Sequence, residues 1–253
     1  MITLAYYDKD PVGNNTVEWL ESHEDGMSHG MFRIVKLDEA PIYSNSSKLD
    51  GAELVMFISK HSSAKGVASF TVHSCGNWGD SADRGGKPKT LCRSDPIAMW
   101  KLLVAIRDVN TYDEVAVTYE ATHHGPTIDL PCLFVEVGGN ETTIGNRSYA
   151  EVLAKAIRKS IIDADVRKPR IAIGIGGLHY PVKFTKMALE NETAFSYIMS
   201  RYNVNNTDML QKAINMSTVK PDFAAIEWKS LRAEERKAVI DALEAIGLEY
   251  ERI

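Results

Sequence analysis

Cysteine is scarce: the chain holds only Cys75, Cys92 and Cys132. An odd number without a Cys-x-x-Cys pair excludes a disulfide scaffold and a thiolate zinc knot, and it fits a reducing cytoplasm. Long apolar runs are missing too. The longest, such as Ile171 to Ile175, fall far short of the roughly 20 residues that a membrane helix needs, so no membrane role is expected. The opening Met1-Ile2-Thr3-Leu4-Ala5-Tyr6-Tyr7-Asp8 has no basic leader before an apolar stretch and reads as a first strand, not a signal peptide. No low-complexity tract, Gly/Ser/Pro linker or fixed-period repeat divides the chain, which predicts one domain over residues 1–253 and excludes a solenoid. Three familiar motifs are also absent. Without Gly-x-Ser-x-Gly there is no serine elbow, and without His-Glu-x-x-His there is no helical zinc-peptidase site. The spacing Gly174-x-Gly176-Gly177 is not a dinucleotide fingerprint.

What is present is an ordinary globular composition, 44% hydrophobic and 25% charged. Short β-rich runs alternate with longer amphipathic stretches: Ile2–Tyr7 then 12–22; 53–59 and 67–73 then 96–109; 132–137 then 148–165; 170–175; 223–226 then 233–246. Leu54-Val55-Met56-Phe57-Ile58 and Ile171-Ala172-Ile173 are apolar without alternation, as in strands covered on both faces. The expected fold is α/β, a three-layer α/β/α sandwich around a mixed, mostly parallel sheet. Asp95 before Pro96 marks a helix start, Ser230 with Glu234 begins the last helix, and Gly247 ends it.

A net charge of −5 argues against a surface that coats nucleic acid as a whole. Locally the balance differs. Arg84, Lys87, Lys89 and Arg93 share a stretch with no acidic residue, and Gly85, Gly86 and Pro88 make it a loop able to contact phosphate. The basic residues between Arg147 and Arg170 read as a solvated helix face.

The chemistry concentrates in Thr118-Tyr119-Glu120-Ala121-Thr122-His123-His124-Gly125-Pro126-Thr127. Histidine serves near neutral pH as base, acid or metal ligand, and only seven occur here. In an extended segment His123 and His124 point to opposite sides and do not share one ligand sphere without a bulge. His61 and His73 end two consecutive strands and would be rim neighbours if those strands are adjacent. Glu136, among Leu133, Phe134, Val135 and Val137, must be paired, hydrogen-bonded or protonated if buried. His179 follows a glycine run whose Gly176 and Gly177 amides could hold a phosphate or an oxyanion. Thr122, Thr127 and Ser62 could donate to a substrate carbonyl or ribose. Histidines beside a carboxylate can assemble an open zinc site that activates water, and a metal-free route would use one His as general base. Trp78 could stack on a base, with core packing the plainer reading. His23 and His29 are left as solvated loop residues.

Five motifs in order resemble the archaeal and plant type of D-aminoacyl-tRNA deacylase. They are Ser59-Lys60-His61-Ser62, Thr71-Val72-His73 with Gly76-Asn77, Glu120-Ala121-Thr122-His123-His124-Gly125-Pro126-Thr127, Phe134-Val135-Glu136-Val137-Gly138, and Gly174-Ile175-Gly176-Gly177 with His179-Tyr180. The resemblance implies a layout like nucleoside phosphorylases and peptidyl-tRNA hydrolases, hydrolysis of the ester between a D-amino acid and the tRNA 3′ end, and zinc. The expected catalytic set is His123, His124, Glu136 and Thr122, with His61, His73 and His179 as metal ligands. Ser62, Thr127, Gly176, Gly177, Tyr180, Arg84, Lys87 and Lys89 are expected to bind the tRNA substrate. A monomer or a homodimer fits equally. A nucleoside phosphorylase or hydrolase, and a non-catalytic tRNA- or nucleotide-binding module, are the alternatives.

Overall fold

In the computed structural model of the chain, residues 1–23, 30–62, 66–163 and 167–253 are described, Ser62 for its backbone only. In chain order the elements are β1 (Ile2–Tyr7), α1 (Pro11–Ser22), β2 (Phe32–Leu37), β3 (Leu54–Ser62), β4 (Ser69–Ser74) and the short pair β5 (Gly76–Asn77) and β6 (Thr90–Leu91). Then come α2 (Pro96–Val109), β7 (Ala116–Tyr119), β8 (Cys132–Gly139), the one-turn α3 (Glu141–Ile144), α4 (Arg147–Ile162), β9 (Arg170–Ile175) and α5 (Val182–Glu190). The chain closes with β10 (Thr193–Met199), α6 (Leu210–Met216), β11 (Phe223–Ile226), α7 (Ala233–Ile246) and β12 (Tyr250–Arg252).

Helix ends follow local chemistry. Asp95 accepts the Ala98 N–H at 3.0 Å with Pro96 inside the first turn, and Asp10 caps α1 in the same way through Val12 and Gly13. Gly247 at φ 75° ends α7. The start of α7 differs from expectation. Its cap is Arg232, whose N–H donates to Glu235 at 2.7 Å, while Ser230 accepts the Gly177 N–H at 2.9 Å instead.

The strands form two main sheets. The six-stranded one runs β2-β1-β3-β8-β4-β7 and the four-stranded one β10-β9-β11-β12. Every pairing in them is parallel except β4 against β8. The chain leaving β7 joins the two. Glu120 N–H donates to Val72 O at 3.1 Å and Gly76 N–H to His124 O at 2.8 Å, which ties this segment to β4 and to β5 beyond it. On its other side Thr122 N–H donates to Ile198 O at 2.8 Å, and Ile198 N–H donates to Thr122 Oγ1 at 3.0 Å. The signature segment is therefore a seam, and the strands on either side make one composite layer.

Helices α1, α2, α4 and α5 cover one face through a cluster that includes Leu20, Trp100, Leu153 and Phe184 and draws strand residues from both sheets. On the opposite face α6 and α7 cover β9 and β11 through Leu210 and Leu243. Irregular chain around Leu49, Cys92 and Ile128 covers the larger sheet there. Burial on both faces explains the unbroken apolar runs of β3 and β9. The edge strands β2 (Phe-Arg-Ile-Val-Lys-Leu) and β12 (Tyr-Glu-Arg) are too charged or too short to stand out in the sequence. Among the described residues no helix is long and apolar enough to cross a membrane.

Candidate functional site

Glu136 is the hub of a polar patch on the helix-free face of the larger sheet. In register it lies between Ser59 of β3 and Thr71 of β4. Ser59 Oγ donates to Glu136 Oε1 at 2.6 Å. His61 and His73, each two residues further along its strand, approach Glu136 Oε2 with Nδ1 at 3.6 Å and Nε2 at 3.4 Å. So β3 and β4 are not adjacent: β8 separates them and carries the carboxylate that both imidazoles reach, so the expected rim pair sits on the sheet face instead. Gly138 faces His61 in register, and a Cβ there would collide with the buried Ser69 Oγ, so the close approach of β4 to β8 at this point requires glycine. Phe134 stacks on His73 with ring centroids 5.2 Å apart and separates the patch from the apolar core.

Glu120, at the end of the seam, gathers a second set. Its Oε2 lies 3.0 Å from His179 Nε2, 3.3 Å from His61 Nδ1 and 3.5 Å from His123 Nε2. Neither Glu120 oxygen makes a hydrogen bond, nor does His123 Nε2, although all three atoms are buried. Donors that converge without aligning on one another are arranged for a shared third partner. Three groupings bring their ligand atoms within 4.8 Å and could hold a metal ion: His61-Glu120-His123-His179, His73-His123-His124 and His73-Glu120-Glu136.

Backbone carbonyls set the imidazole orientations. Nδ1 of His73, His123 and His124 lies 3.1, 2.8 and 2.6 Å from the carbonyls of Ser74, Ala121 and Gly125. A proton on Nδ1 of His123 and of His124 leaves their Nε2 lone pairs free, the usual way a protein fixes a ligating histidine, whereas His73 Nε2 faces Glu136 Oε2. The expected divergence of His123 and His124 does not occur, because His124 takes φ 49° and brings the two rings to 4.2 Å. Burial disfavours charge on both, and His73⁺ opposes it further at His124; the pKa of His124 falls to about 4 and that of His123 lies well below the ordinary value. At His61 and His73 burial works the same way, but hydrogen bonding to Glu136 and the fields of both carboxylates outweigh it and raise their pKa. Burial would raise both glutamates, yet the surrounding imidazoles hold them below the carboxylate range. Without an ion, two buried carboxylates thus face two imidazoles that favour their charged form.

A cleft of about 340 Å³ opens above this cluster, with Asn77, Arg84, Thr122, His123, His124 and His179 in its walls. The remaining expected residues divide. Thr122 is almost fully buried, and its hydroxyl serves the seam and Ser74 Oγ at 2.7 Å, which makes it a positioning group. Gly176 and Gly177 hold no oxyanion: their N–H groups already donate to Met199 O at 2.8 Å and Ser230 Oγ at 2.9 Å. Thr127 Oγ1 accepts the Lys87 N–H at 2.9 Å and pins the basic loop, and Lys89 pairs with Asp208 at 3.0 Å. Of that loop's cations only Arg84 lines the cleft. Tyr180 packs edge-on to His179 at 5.1 Å. The Ser62 side chain and His29 lie outside the described residues, and His23 stacks on Trp19 far from the cluster in sequence. Trp78 is 2% exposed and packed edge-on to Tyr197, so its ring face belongs to the core. Glu120, the carboxylate three residues before His123 in the signature segment, lies outside the expected site set yet is central to the cluster.

Three imidazoles thus line the cleft of an α/β protein, with His61, His73 and two buried carboxylates packed behind them, the kind of donor cluster found in enzyme active sites. The D-aminoacyl-tRNA deacylase family model matches residues 49–251, and the chain belongs to that family. It is 38% identical to a D-aminoacyl-tRNA deacylase of Ignicoccus hospitalis, over 98% of both chains. To the deacylase of that name from Methanosarcina barkeri it is 35% identical, over 92% of this chain and 81% of the relative. A crystal structure described as a conserved protein of unknown function superposes with a TM-score of 0.90 at 30% identity, covering 100% of this chain and 95% of that one.

Proposed function

We propose that this protein hydrolyses the ester joining a D-amino acid to the 3′-terminal adenosine of tRNA, acting as one unit over residues 1–253. The observation that carries the reading is the convergence of His61, Glu120, His123 and His179, of which His123 and His179 line the cleft, in a chain of the deacylase family.

These four side chains fit Zn²⁺. At zinc–ligand distances near 2.0–2.1 Å, the edge of a tetrahedral donor set is about 3.3 Å. The three donor separations measured from Glu120 Oε2 are 3.0, 3.3 and 3.5 Å. Held by all four side chains, the ion would supply a Lewis acid alone; held by three of them, as catalytic zinc is, it would also carry a water of lowered pKa. His61 and His179 come from the two sheets and Glu120 and His123 from the seam, so the set is complete only when the halves are joined. Glu136, held by Ser59 Oγ, places a second buried carboxylate beside His61 and His73. His124 lines the cleft as an uncharged imidazole at neutral pH, with Nε2 free to take a proton from the attacking water and return it to the leaving ribose oxygen. Arg84 lines the cleft wall and offers a phosphate contact to the acceptor end.

The test is release of tyrosine from matched D- and L-tyrosyl-tRNA by purified protein, before and after chelation and after zinc is restored. D-selective release that chelation abolishes and zinc restores supports both parts. Release indifferent to chelation removes the zinc, and no release from either ester removes the deacylase.

A further inference from the structure

The rim of the cleft holds a feature that the reaction itself does not use. Tyr202 is 66% exposed, and the Arg201 guanidinium lies 5.1 Å from its ring centroid. The next residue, Asn203, is part of the cleft wall. Arg201 N–H donates to Gly177 O at 3.0 Å, which fastens this turn to the loop carrying His179. Leu178 on that loop is 52% exposed, and Val182, which opens α5, is 74% exposed, so apolar surface flanks this turn beside the cleft.

Charge indicates what the patch receives. Neither Arg201 nor Arg84 forms an ion pair among the described residues, in a chain whose net charge is −5. The acidic side chain in the cleft wall, Asp83, is turned to Ser81 Oγ at 2.6 Å. An exposed aromatic ring with a guanidinium over one face suits an unpaired nucleobase on the other and its phosphate beside them, since every base has a face to stack and RNA is bound where its bases are unstacked.

We infer that Tyr202, with Arg201, is a stacking seat for the unpaired bases of a single-stranded RNA 3′ end. The inference rests on the proposed tRNA-ester reading and adds how the acceptor end is registered. Because the seat is hydrogen-bonded to the His179 loop, a base stacked on Tyr202 fixes how far the strand enters the cleft.

The experiment uses the full chain and a short fluorescein-labelled single-stranded RNA carrying the CCA end of tRNA, read by anisotropy, with the same RNA in a blunt duplex as comparison. Tyr202→Ala is expected to weaken single-strand binding about 5- to 100-fold, the loss of one stacked base, and to change duplex binding little. Tyr202→Trp should restore it, and Arg201→Ala should lower the salt slope by about one unit. With D-tyrosyl-tRNA, Tyr202→Ala should raise KM more than it lowers kcat. A melting temperature equal to the wild type's would separate this effect from misfolding. Equal RNA affinity of Tyr202→Ala and wild type, or equal weakening by Ala and Trp, overturns the seat even if the wild type releases D-tyrosine. Tyr202-dependent RNA binding without release from either ester supports the seat and overturns the deacylase reading.

Discussion

Replacing Thr122 by valine tests whether the seam holds the molecule together. The substitution keeps the shape and removes one hydroxyl. That oxygen accepts the Ile198 N–H at 3.0 Å and shares a hydrogen bond with Ser74 Oγ at 2.7 Å, at a buried position. Valine leaves both partners buried and unsatisfied, at about 1–3 kcal/mol each, so the expected destabilisation is about 2–6 kcal/mol. For a chain of this length, about 2–4 °C of melting temperature per kcal/mol gives a fall of at least about 4 °C. Thr122→Ser keeps the oxygen and should lose only about 1 kcal/mol, for its methyl group. The assay is urea unfolding followed by tryptophan fluorescence, with hydrogen exchange at the Ile198 amide as the local readout. Faster exchange there in the valine variant, before global unfolding, is the expected signature. Valine and wild-type proteins agreeing within about 0.5 kcal/mol, with unchanged Ile198 exchange, would refute the seam as a stabilising device.

Ser59→Ala removes the 2.6 Å donor to buried Glu136; a loss of about 1.5–3 kcal/mol is expected in chemical denaturation, and an upward move of the Glu136 carboxyl in ¹³C titration. His124 gives the metal-free protein an acid-sensitive term. Its folded pKa of about 4 lies below the ordinary 6.5, so the unfolded chain binds the extra proton and stability is lost as pH falls from about 6.5 to 4, to a total of about 3 kcal/mol. Denaturation across that window should show a shallower slope for His124→Gln than for the wild type. His61 has the opposite sign: its pKa is raised, so it must lose a proton to ligate. Zinc affinity measured against a chromophoric chelator should therefore rise with pH above about 6.5, and a flat profile would remove His61 from the ligand set.

How much was legible depended on whether local chemistry or tertiary pairing set the feature. The alternation of apolar runs and amphipathic helices was readable because burial on both faces of β3, β8 and β9 demands it, and Asp95-Pro96 and Gly247 mark ends that depend only on neighbouring residues. The order of the strands was not readable. That β8 enters between β3 and β4, antiparallel to β4, is a long-range choice, and it decides which carboxylate His61 and His73 share. The αL turn at His124 also escaped, since alternation along a strand holds only while φ stays negative. The Gly176 and Gly177 amides looked available because their acceptors, Met199 O and Ser230 Oγ, are distant in sequence. Glu120 belongs to the signature motif, but its importance lies in the three imidazoles around it, one from β3 and one from the loop after β9.

The seam gives an ion in the cleft a second effect. Its four ligands would come from β3 of one sheet, from the loop after β9 of the other, and from the strand that joins them, so a single bound ion closes a covalent-like ring across the whole layer. Such a ring shortens the loops available to the unfolded chain, as a disulfide does, in a molecule whose thiols are all free. An ion held there would add a latch to the seam that already joins the two sheets, and proteolysis in the presence of chelator is then expected to open the molecule at the β7–β10 junction first.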